Sequence, residues 1–77
     1  MKVLVTGATG FVGKKLVSKL VNRNHKVSIL TRDIESARKH LPMNCEFHKW
    51  EPELYPPSSK AFDGVNAVVH LAGENIA

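Results

Sequence analysis

The sequence predicts an α/β protein built on a doubly wound parallel sheet. Three short runs rich in valine, isoleucine and leucine, and a fourth, less apolar run at Cys45–Trp50, have the length of strands, and two segments between them place apolar residues at helical spacing. The first run leads through a glycine-rich turn directly into the first helical segment. Strands that alternate with helices are typical of parallel sheets, because each helix carries the chain back to the start of the next strand.

The elements can be placed in order along the chain. Strands are predicted at Lys2–Thr6, Lys26–Thr31, Cys45–Trp50 and Ala67–Leu71, and helices at Gly10–Val21 and Ile34–His40. Asn24 is expected to end the first helix in the left-handed conformation. Asp33 is the expected N-cap of the second helix, and Pro42 ends that helix because the residue before a proline avoids the helical region.

This order of elements predicts a sheet with strand order 3-2-1-4, the first mononucleotide-binding half of a doubly wound fold. Right-handed crossovers would place both helices on one face of the sheet. Three prolines within residues 51–62 predict a loop without a regular helix, which would leave the opposite face bare. We therefore expect self-association through that open face or through the free edge of strand four.

Three glycines follow the first strand at the spacing G-x-x-G-x-x-G. Gly7 permits a sharp turn, Gly10 lets backbone N–H groups approach a diphosphate, and Gly13 lets the helix pack close to the strand. The N-terminus of the helix directs free N–H groups and a partial positive charge at the same place. Such turns also join strands to helices without a ligand, but the strand before and the helix after favour a dinucleotide phosphate site.

The end of the second strand predicts which nicotinamide cofactor would fit. An acidic residue at this point binds the ribose hydroxyls of NAD, whereas an arginine accommodates the 2′-phosphate of NADP. The chain has Thr31 where the acid is expected, followed by Arg32. A solvated arginine, or one paired with Asp33, is the alternative interpretation. The sequence favours NADP over NAD.

The end of the fourth strand lies where the strand order reverses, the place where ligands bind in open α/β sheets. Leu71, Ala72 and Gly73 stand at this point, and the small residues would let the ribose and diphosphate pass close to the backbone. His70 is a candidate acid or base, but a structural histidine at the strand end is the favoured interpretation.

Composition argues against several other functions. The single cysteine, Cys45, excludes an internal disulfide and favours a reducing compartment such as the cytoplasm. No segment is long and apolar enough to span a membrane, and the histidines lack the spacing of zinc ligands with Cys45. Residues 1–40 carry nine Lys and Arg against two Asp and Glu. This excess could indicate nucleic-acid binding, but most lysines of the first helix fall opposite its apolar stripe, as on a solvated face.

Four segments together carry a resemblance to a known family: Val3–Gly13, Ile29–Arg32, Trp50–Pro52 and Val69–Ile76. They resemble the NAD(P)-binding N-terminus of the epimerase-like atypical and extended short-chain dehydrogenase/reductases, and most of all the branch of the SulA homologues. The resemblance implies a Rossmann fold and a set of cofactor-binding residues, namely Gly7, Thr9, Gly10, Phe11, Val12, Gly13, Thr31, Arg32, Leu71, Ala72 and Gly73. The pair Trp50-Glu51 departs from the acidic and aliphatic pair that many extended members place at the adenine.

We interpret residues 1–77 as the N-terminal part of an NAD(P)-binding Rossmann domain that lacks a complete substrate domain. Its expected role is to hold the adenosine and diphosphate of NADP(H) for an epimerase or reductase that works by hydride transfer. No catalytic or metal-binding residue is predicted within the 77 residues, and we expect them to be inactive alone. A nucleotide sensor without turnover is the alternative, and a basic nucleic-acid-binding module is a further one.

Overall fold

The computed structural model of the chain describes residues 1–51 and 54–71. Its strands are β1 (Lys2–Thr6), β2 (Lys26–Thr31), β3 (Glu46–Lys49) and β4 (Ala67–His70), and its helices are α1 (Phe11–Asn22), α2 (Ile34–His40) and a 3-10 helix at Ser59–Phe62. All four strands are parallel, in the order β3-β2-β1-β4. The predicted fold class and strand order are confirmed.

Three elements, β1, β2 and α2, have the predicted bounds. The bounds of α1, β3 and β4 differ by one residue at one or both ends, and the 3-10 helix was not predicted. The first helix begins at Phe11 because Gly10 keeps an extended backbone (φ −72°, ψ 171°) and is its N-cap. The third strand is shorter than predicted, although the Trp50 N–H still donates to the Thr31 carbonyl at 2.8 Å. The fourth strand ends at His70, one residue before the predicted end.

Two of the residues that the sequence assigns to helix ends, Asn24 and Asp33, have the expected geometry. Asn24 has a φ of 65°, in the left-handed region, and reverses the chain between α1 and β2. The Asp33 carboxylate accepts a hydrogen bond from the Ser36 N–H at 3.1 Å, which satisfies one of the free donors at the start of α2.

The main core lies between the sheet and the two helices. It contains Val3 and Val5 of β1, Ile29 of β2, Val17 of α1 and Ala37 of α2, all at most 3% exposed. Residues of α1 and α2 belong to this one cluster, so both helices cover the same face, as right-handed crossovers require. Cys45 is also buried here, and desolvation raises the pKa of its thiol.

The opposite face of the sheet is partly covered, which corrects the expectation of a bare face. Leu4 and Leu30 pack there against Ala61 of the 3-10 helix, and all three are at most 3% exposed. The Ser28 hydroxyl, fully buried on β2, donates to the Ala61 carbonyl at 3.1 Å. The prolines exclude an α-helix before residue 58, but one 3-10 turn beyond them, capped by Ser58, is enough to cover β1 and β2.

A lysine on this second face ties three separate segments together. The Lys2 Nζ donates to the Glu46 Oε2 of β3 at 2.9 Å and to the Asp63 carbonyl after the 3-10 helix at 2.7 Å. Its backbone N–H donates to the Asn66 Oδ1 at 2.9 Å, just before β4. The start of β1 therefore holds both the edge strand β3 and the end of the covering segment.

We expect the carboxylate of Glu46 to make stability depend on acid pH. Hydrogen bonds from Lys2 and then His48 lower the pKa of Glu46 from its usual value of 4.5. Its stabilising contribution is therefore full above that usual value and is lost as the pH falls through the lower pKa of the folded state. The side chain is 49% exposed, so we expect less than about 1 kcal/mol.

The measurement is the free energy of unfolding of wild type and Glu46→Gln from neutral pH down to acid. The difference between the two proteins should shrink below the usual carboxyl pKa. A difference that stays constant across that range would contradict the assignment of the effect to this carboxylate.

Candidate nucleotide site at the carboxyl edge of the sheet

Three strands end at one edge of the sheet and bring the predicted site segments together. In the register of the sheet, Thr6 at the end of β1 lies beside Leu30 of β2 on one side and His70 of β4 on the other. The glycine turn, Arg32 and Leu71 follow these strand ends. Residues far apart in the sequence therefore emerge at a common edge, where open α/β sheets bind ligands.

The turn after β1 has the backbone conformation that its glycines permit. Gly7 has a φ of +72°, in the left-handed region where side chains are rarely tolerated. Its carbonyl accepts a hydrogen bond from the Gly10 N–H at 3.2 Å, and the Gly10 carbonyl accepts from Lys14 at 2.9 Å. Ala8 between them is buried, at 2% exposed. The turn thus delivers the chain from the strand end straight into the first turn of α1.

Gly13 and Gly10 differ sharply in the space around them. A Cβ atom at Gly13 would lie 2.4 Å from the Gly7 carbonyl oxygen and 2.6 Å from the Cα of Ala8, distances that real Cβ atoms do not reach. A Cβ atom at Gly10 would meet only the Gly7 oxygen, at an ordinary 3.5 Å. Gly13 is required by the packing of α1 on the turn, whereas the space beside Gly10 is open.

The first turn of α1 offers donors without protein acceptors. Within residues 1–51 and 54–71, no backbone carbonyl or side chain accepts from the N–H groups of Phe11, Val12 or Gly13. The N-cap, Gly10, has no side chain to satisfy them, and the first turn contains no acidic residue. These donors and the positive end of the helix dipole suit an anion such as a diphosphate.

Apolar side chains border this donor group on the surface. Phe11 is 76% exposed and Val12 is 64% exposed, although both lie in the first turn of a helix beside the buried Ala8. The Lys15 ammonium stands 4.4 Å from the centre of the Phe11 ring. The predicted residue Thr9 is exposed as well. This combination of exposed apolar groups, cationic charge and free N–H donors can contact both the sugar and the phosphates of a nucleotide.

Arg32 lies exposed at the end of β2 with no ion pair to any described residue. The neighbouring acid is engaged elsewhere, since the Asp33 carboxylate caps α2 at the Ser36 N–H. The Thr31 hydroxyl is held in the same turn, where it accepts from the Asp33 N–H at 3.2 Å. The Arg32–Asp33 pair left open by the sequence is therefore not formed, and Arg32 stays exposed.

His70 is fixed to the last residue of β1. Its Nδ1 lies 2.7 Å from the Thr6 hydroxyl, and that hydroxyl also accepts from the Leu71 N–H at 3.1 Å. The Leu71 N–H also donates to the Thr6 carbonyl at 3.0 Å. This arrangement agrees with the structural interpretation of His70. Sequence reasoning missed Thr6, whose hydroxyl joins the two strand ends directly before the glycine turn; a polar residue ending an apolar strand was the available signal.

The side chain of Trp50 is held beside the end of β2. Its backbone N–H donates to the Thr31 carbonyl, and its indole Nε1 donates to the Tyr55 carbonyl at 2.9 Å. The ring packs against the second-face cluster of Leu4 and Leu30. Trp50, the first residue of the pair that departs from the extended members, is thus held in place by two hydrogen bonds.

Two predicted site residues, Ala72 and Gly73, lie outside the described part of the chain. Within that part, no group of three or more His, Cys, Asp or Glu side chains is arranged to hold a metal ion. Nor does any helix among the described residues have the length and apolar character needed to cross a bilayer.

Comparison with known proteins decides the family. The profile of the NAD dependent epimerase/dehydratase family matches residues 3–76. The chain belongs to this family. The match runs across the glycine turn and all four strands, so the resemblance of the sequence to epimerase-like proteins is confirmed. A nicotinamide dinucleotide, NAD or NADP, is the class of cofactor that membership implies.

Individual relatives agree with this assignment. The chain is 36% identical over 80 residues to the Epimerase family protein SDR39U1 homolog, chloroplastic, of Arabidopsis thaliana, with 95% of this chain and 21% of that protein covered. It is 31% identical over 79 residues to the dTDP-4-dehydro-6-deoxyglucose reductase of Escherichia coli, with 91% of this chain and 24% of the reductase covered. The chain therefore spans about a fifth to a quarter of the length of these two relatives.

A solved structure supports the fold. A protein of Lactobacillus casei, known from its crystal structure, superposes with a TM-score of 0.77 at 32% sequence identity. The superposition covers 92% of this chain and 32% of that protein. Sheet order and relatives together place the chain in a nucleotide-binding oxidoreductase family with a partial Rossmann-like fold.

The contrast between the two glycines predicts opposite effects on stability. Gly13→Ala should lower the free energy of unfolding by about 1–3 kcal/mol, because its methyl group overlaps the backbone of the turn. Gly10→Ala should leave it nearly unchanged, since the added methyl group makes only an ordinary contact. Urea denaturation of the two variants provides the comparison. Equal losses of unfolding free energy in the two variants would contradict the difference in space between Gly10 and Gly13.

Proposed function

We propose that the chain binds the adenosine and diphosphate part of NADP(H), as the N-terminal half of an epimerase-like NAD(P)-dependent oxidoreductase or epimerase. The observation that carries this proposal is the turn from β1 into α1. There, free N–H groups of Phe11, Val12 and Gly13 stand beside a glycine, Gly10, with an open side. Family membership supports the class of cofactor.

The residues present fit such a ligand. The N–H groups of the first turn of α1 would donate hydrogen bonds to the diphosphate, and Gly10 would leave room for its approach. Thr9 adds a hydroxyl beside the turn, and Leu71 directly follows β4 at the same edge of the sheet. The bound nicotinamide supplies hydride transfer, and these residues hold and orient the other end of the cofactor. Because the chain spans only part of its relatives, the whole reaction is a proposal about a longer protein.

The preference for NADP over NAD rests on the end of β2. Thr31 has no carboxylate to accept hydrogen bonds from ribose hydroxyls, and its hydroxyl is engaged with Asp33. Arg32 is exposed, and its guanidinium forms no ion pair within the described residues. A guanidinium can make two parallel hydrogen bonds to a phosphate, which suits the 2′-phosphate of NADP.

We expect Arg32→Ala to weaken NADP binding at least about tenfold, the value of one hydrogen bond to a charged group, and to leave NAD binding nearly unchanged. Isothermal titration with both dinucleotides measures this. Arg23→Ala is the matched control, because Arg23 is an arginine at the far end of α1. Equal affinities of wild type for NADP and NAD would contradict the proposed preference.

Gly10→Val should abolish nucleotide binding in a chain that remains folded. The Gly10 backbone is extended, so a β-branched residue fits the conformation, but its side chain occupies the open side of the turn. Circular dichroism should show a native fold for this variant, in contrast to Leu4→Asp, which buries a charge in the second-face cluster. A folded Gly10→Val that binds as well as wild type would show that the turn is only structural.

We also propose that the outer edge of β4, which pairs only with β1 among the described residues, supports self-association. Val68 is 54% exposed, because the 3-10 helix does not extend over β4. Leu4, its neighbour on the same face of β1, packs against that helix and is 1% exposed. An unpaired apolar edge is a template for another strand. Val68→Glu should lower the average mass in sedimentation equilibrium, whereas Leu54→Glu, at an exposed loop position, should not. A wild type that is monomeric at micromolar concentration would contradict this proposal.

A further inference from the structure

The other edge of the sheet, formed by β3, has a pattern of charge that β4 lacks. Within the described residues, β3 pairs with β2 alone. The Trp50 N–H points to the Thr31 carbonyl of β2, so along an extended chain the N–H groups of Phe47 and Lys49 point to the free side. Glu46 and His48 share the second face of the sheet, and their side chains lie 3.3 Å apart.

We propose that two copies of the chain join through their β3 edges, antiparallel and related by a twofold axis at Phe47. A twofold axis perpendicular to the sheet keeps each face of one copy continuous with the same face of the other. With Phe47 opposite Phe47 of the second copy, Glu46 then lies opposite His48 of that copy, and the converse pair forms on the other side of the axis. This contact is separate from the nucleotide site and from the β4 edge.

Charge complementarity identifies the occupant as a second copy. Charged groups on an edge strand normally oppose pairing, because a random partner strand brings like charge or no charge opposite them. Here an acid and a histidine two residues apart form two Glu–His pairs when the partner has the same sequence in the reverse direction, so the strand is complementary to itself. The Glu46 side chain, 49% exposed, has surface left to meet a partner beyond its bonds to Lys2 and His48.

A groove lies beside this edge. It has a volume of about 540 Å³ and is lined by Arg38, Met43, Cys45, Glu46, Phe47 and His48. At this groove Met43 is 90% exposed, and the half-buried Phe47 ring lies 5.7 Å from the Arg38 guanidinium. The proposed register brings the two Phe47 rings side by side, an aromatic cross-strand pair on the helix-covered face.

The register can be tested by disulfide formation between two different variants. Glu46→Cys and His48→Cys are each prepared with Cys45→Ala, so that the introduced thiol is unique, and with Val68→Glu, so that the β4 edge is blocked. In the proposed register, position 46 of one copy faces position 48 of the other. Position 46 of one copy lies too far from position 46 of the other to form a disulfide, and the same holds for the two positions 48. Mixing the variants under mild oxidation should give at least about tenfold more disulfide dimer than either variant alone.

Equal yields from mixed and unmixed samples, or no dimer from any of them, would overturn the proposal. Because β4 is blocked in every sample, this outcome is distinct from failure of the β4 interface. Circular dichroism before oxidation shows that each variant is folded.

A charge exchange provides the second test, without cysteines. In the Val68→Glu background, His48→Glu places like charges opposite each other and should weaken self-association at least about tenfold in sedimentation equilibrium. The double exchange Glu46→His with His48→Glu restores a Glu–His pair on both sides of the axis and should recover self-association. Failure of the double exchange to recover association, while its thermal unfolding stays close to that of His48→Glu, would contradict the proposed pairing.

Discussion

The contact between the first turn of α1 and the glycine turn is the constraint on which the candidate site depends. At Gly13 there is no room for even a methyl group, because the Gly7 oxygen and Ala8 lie directly against the helix. This contact sets the position of the helix N-terminus relative to the end of β1. The free N–H groups of the first turn therefore stand at the carboxyl edge of the sheet rather than over its face. A larger residue at Gly13 would move the donors away from the place where the other strands end.

The same edge is held from the side of β4 by polar rather than apolar contacts. The Thr6 hydroxyl joins His70 and Leu71 to the last residue of β1, so the strand ends on both sides of the turn are fixed to each other. Such a joint leaves the groups around the turn in place before any ligand arrives, which reduces the ordering cost of binding. Arg32, in contrast, is exposed and unpaired within the described residues, as suits a residue that meets a charged group of a ligand.

The two faces of the sheet are stabilised in different ways. The helix-covered face is a continuous apolar cluster, whereas the second face combines a small apolar contact at Ala61 with the polar contacts of Lys2 and Ser28. The short 3-10 helix covers the two central strands and leaves Val68 exposed on β4. The second face is therefore closed over β1 and β2 and open towards β4.

The order of strands and helices, the glycine turn and the residues at the strand ends were all determined by the sequence itself, because they depend on local periodicity and on the backbone freedom of particular residues. Asp33 and Asn24 show this, since their roles at helix ends involve neighbours only a few positions away. The cover of the second face and the Thr6–His70 contact were decided only by the tertiary structure. Both depend on groups more than 30 residues apart, the Ser28 hydroxyl with the Ala61 carbonyl and the Thr6 hydroxyl with His70, and no periodic pattern encodes such pairs. A single 3-10 turn is too short to leave a periodic signal, and it is stable here because folding places a small buried serine beneath it.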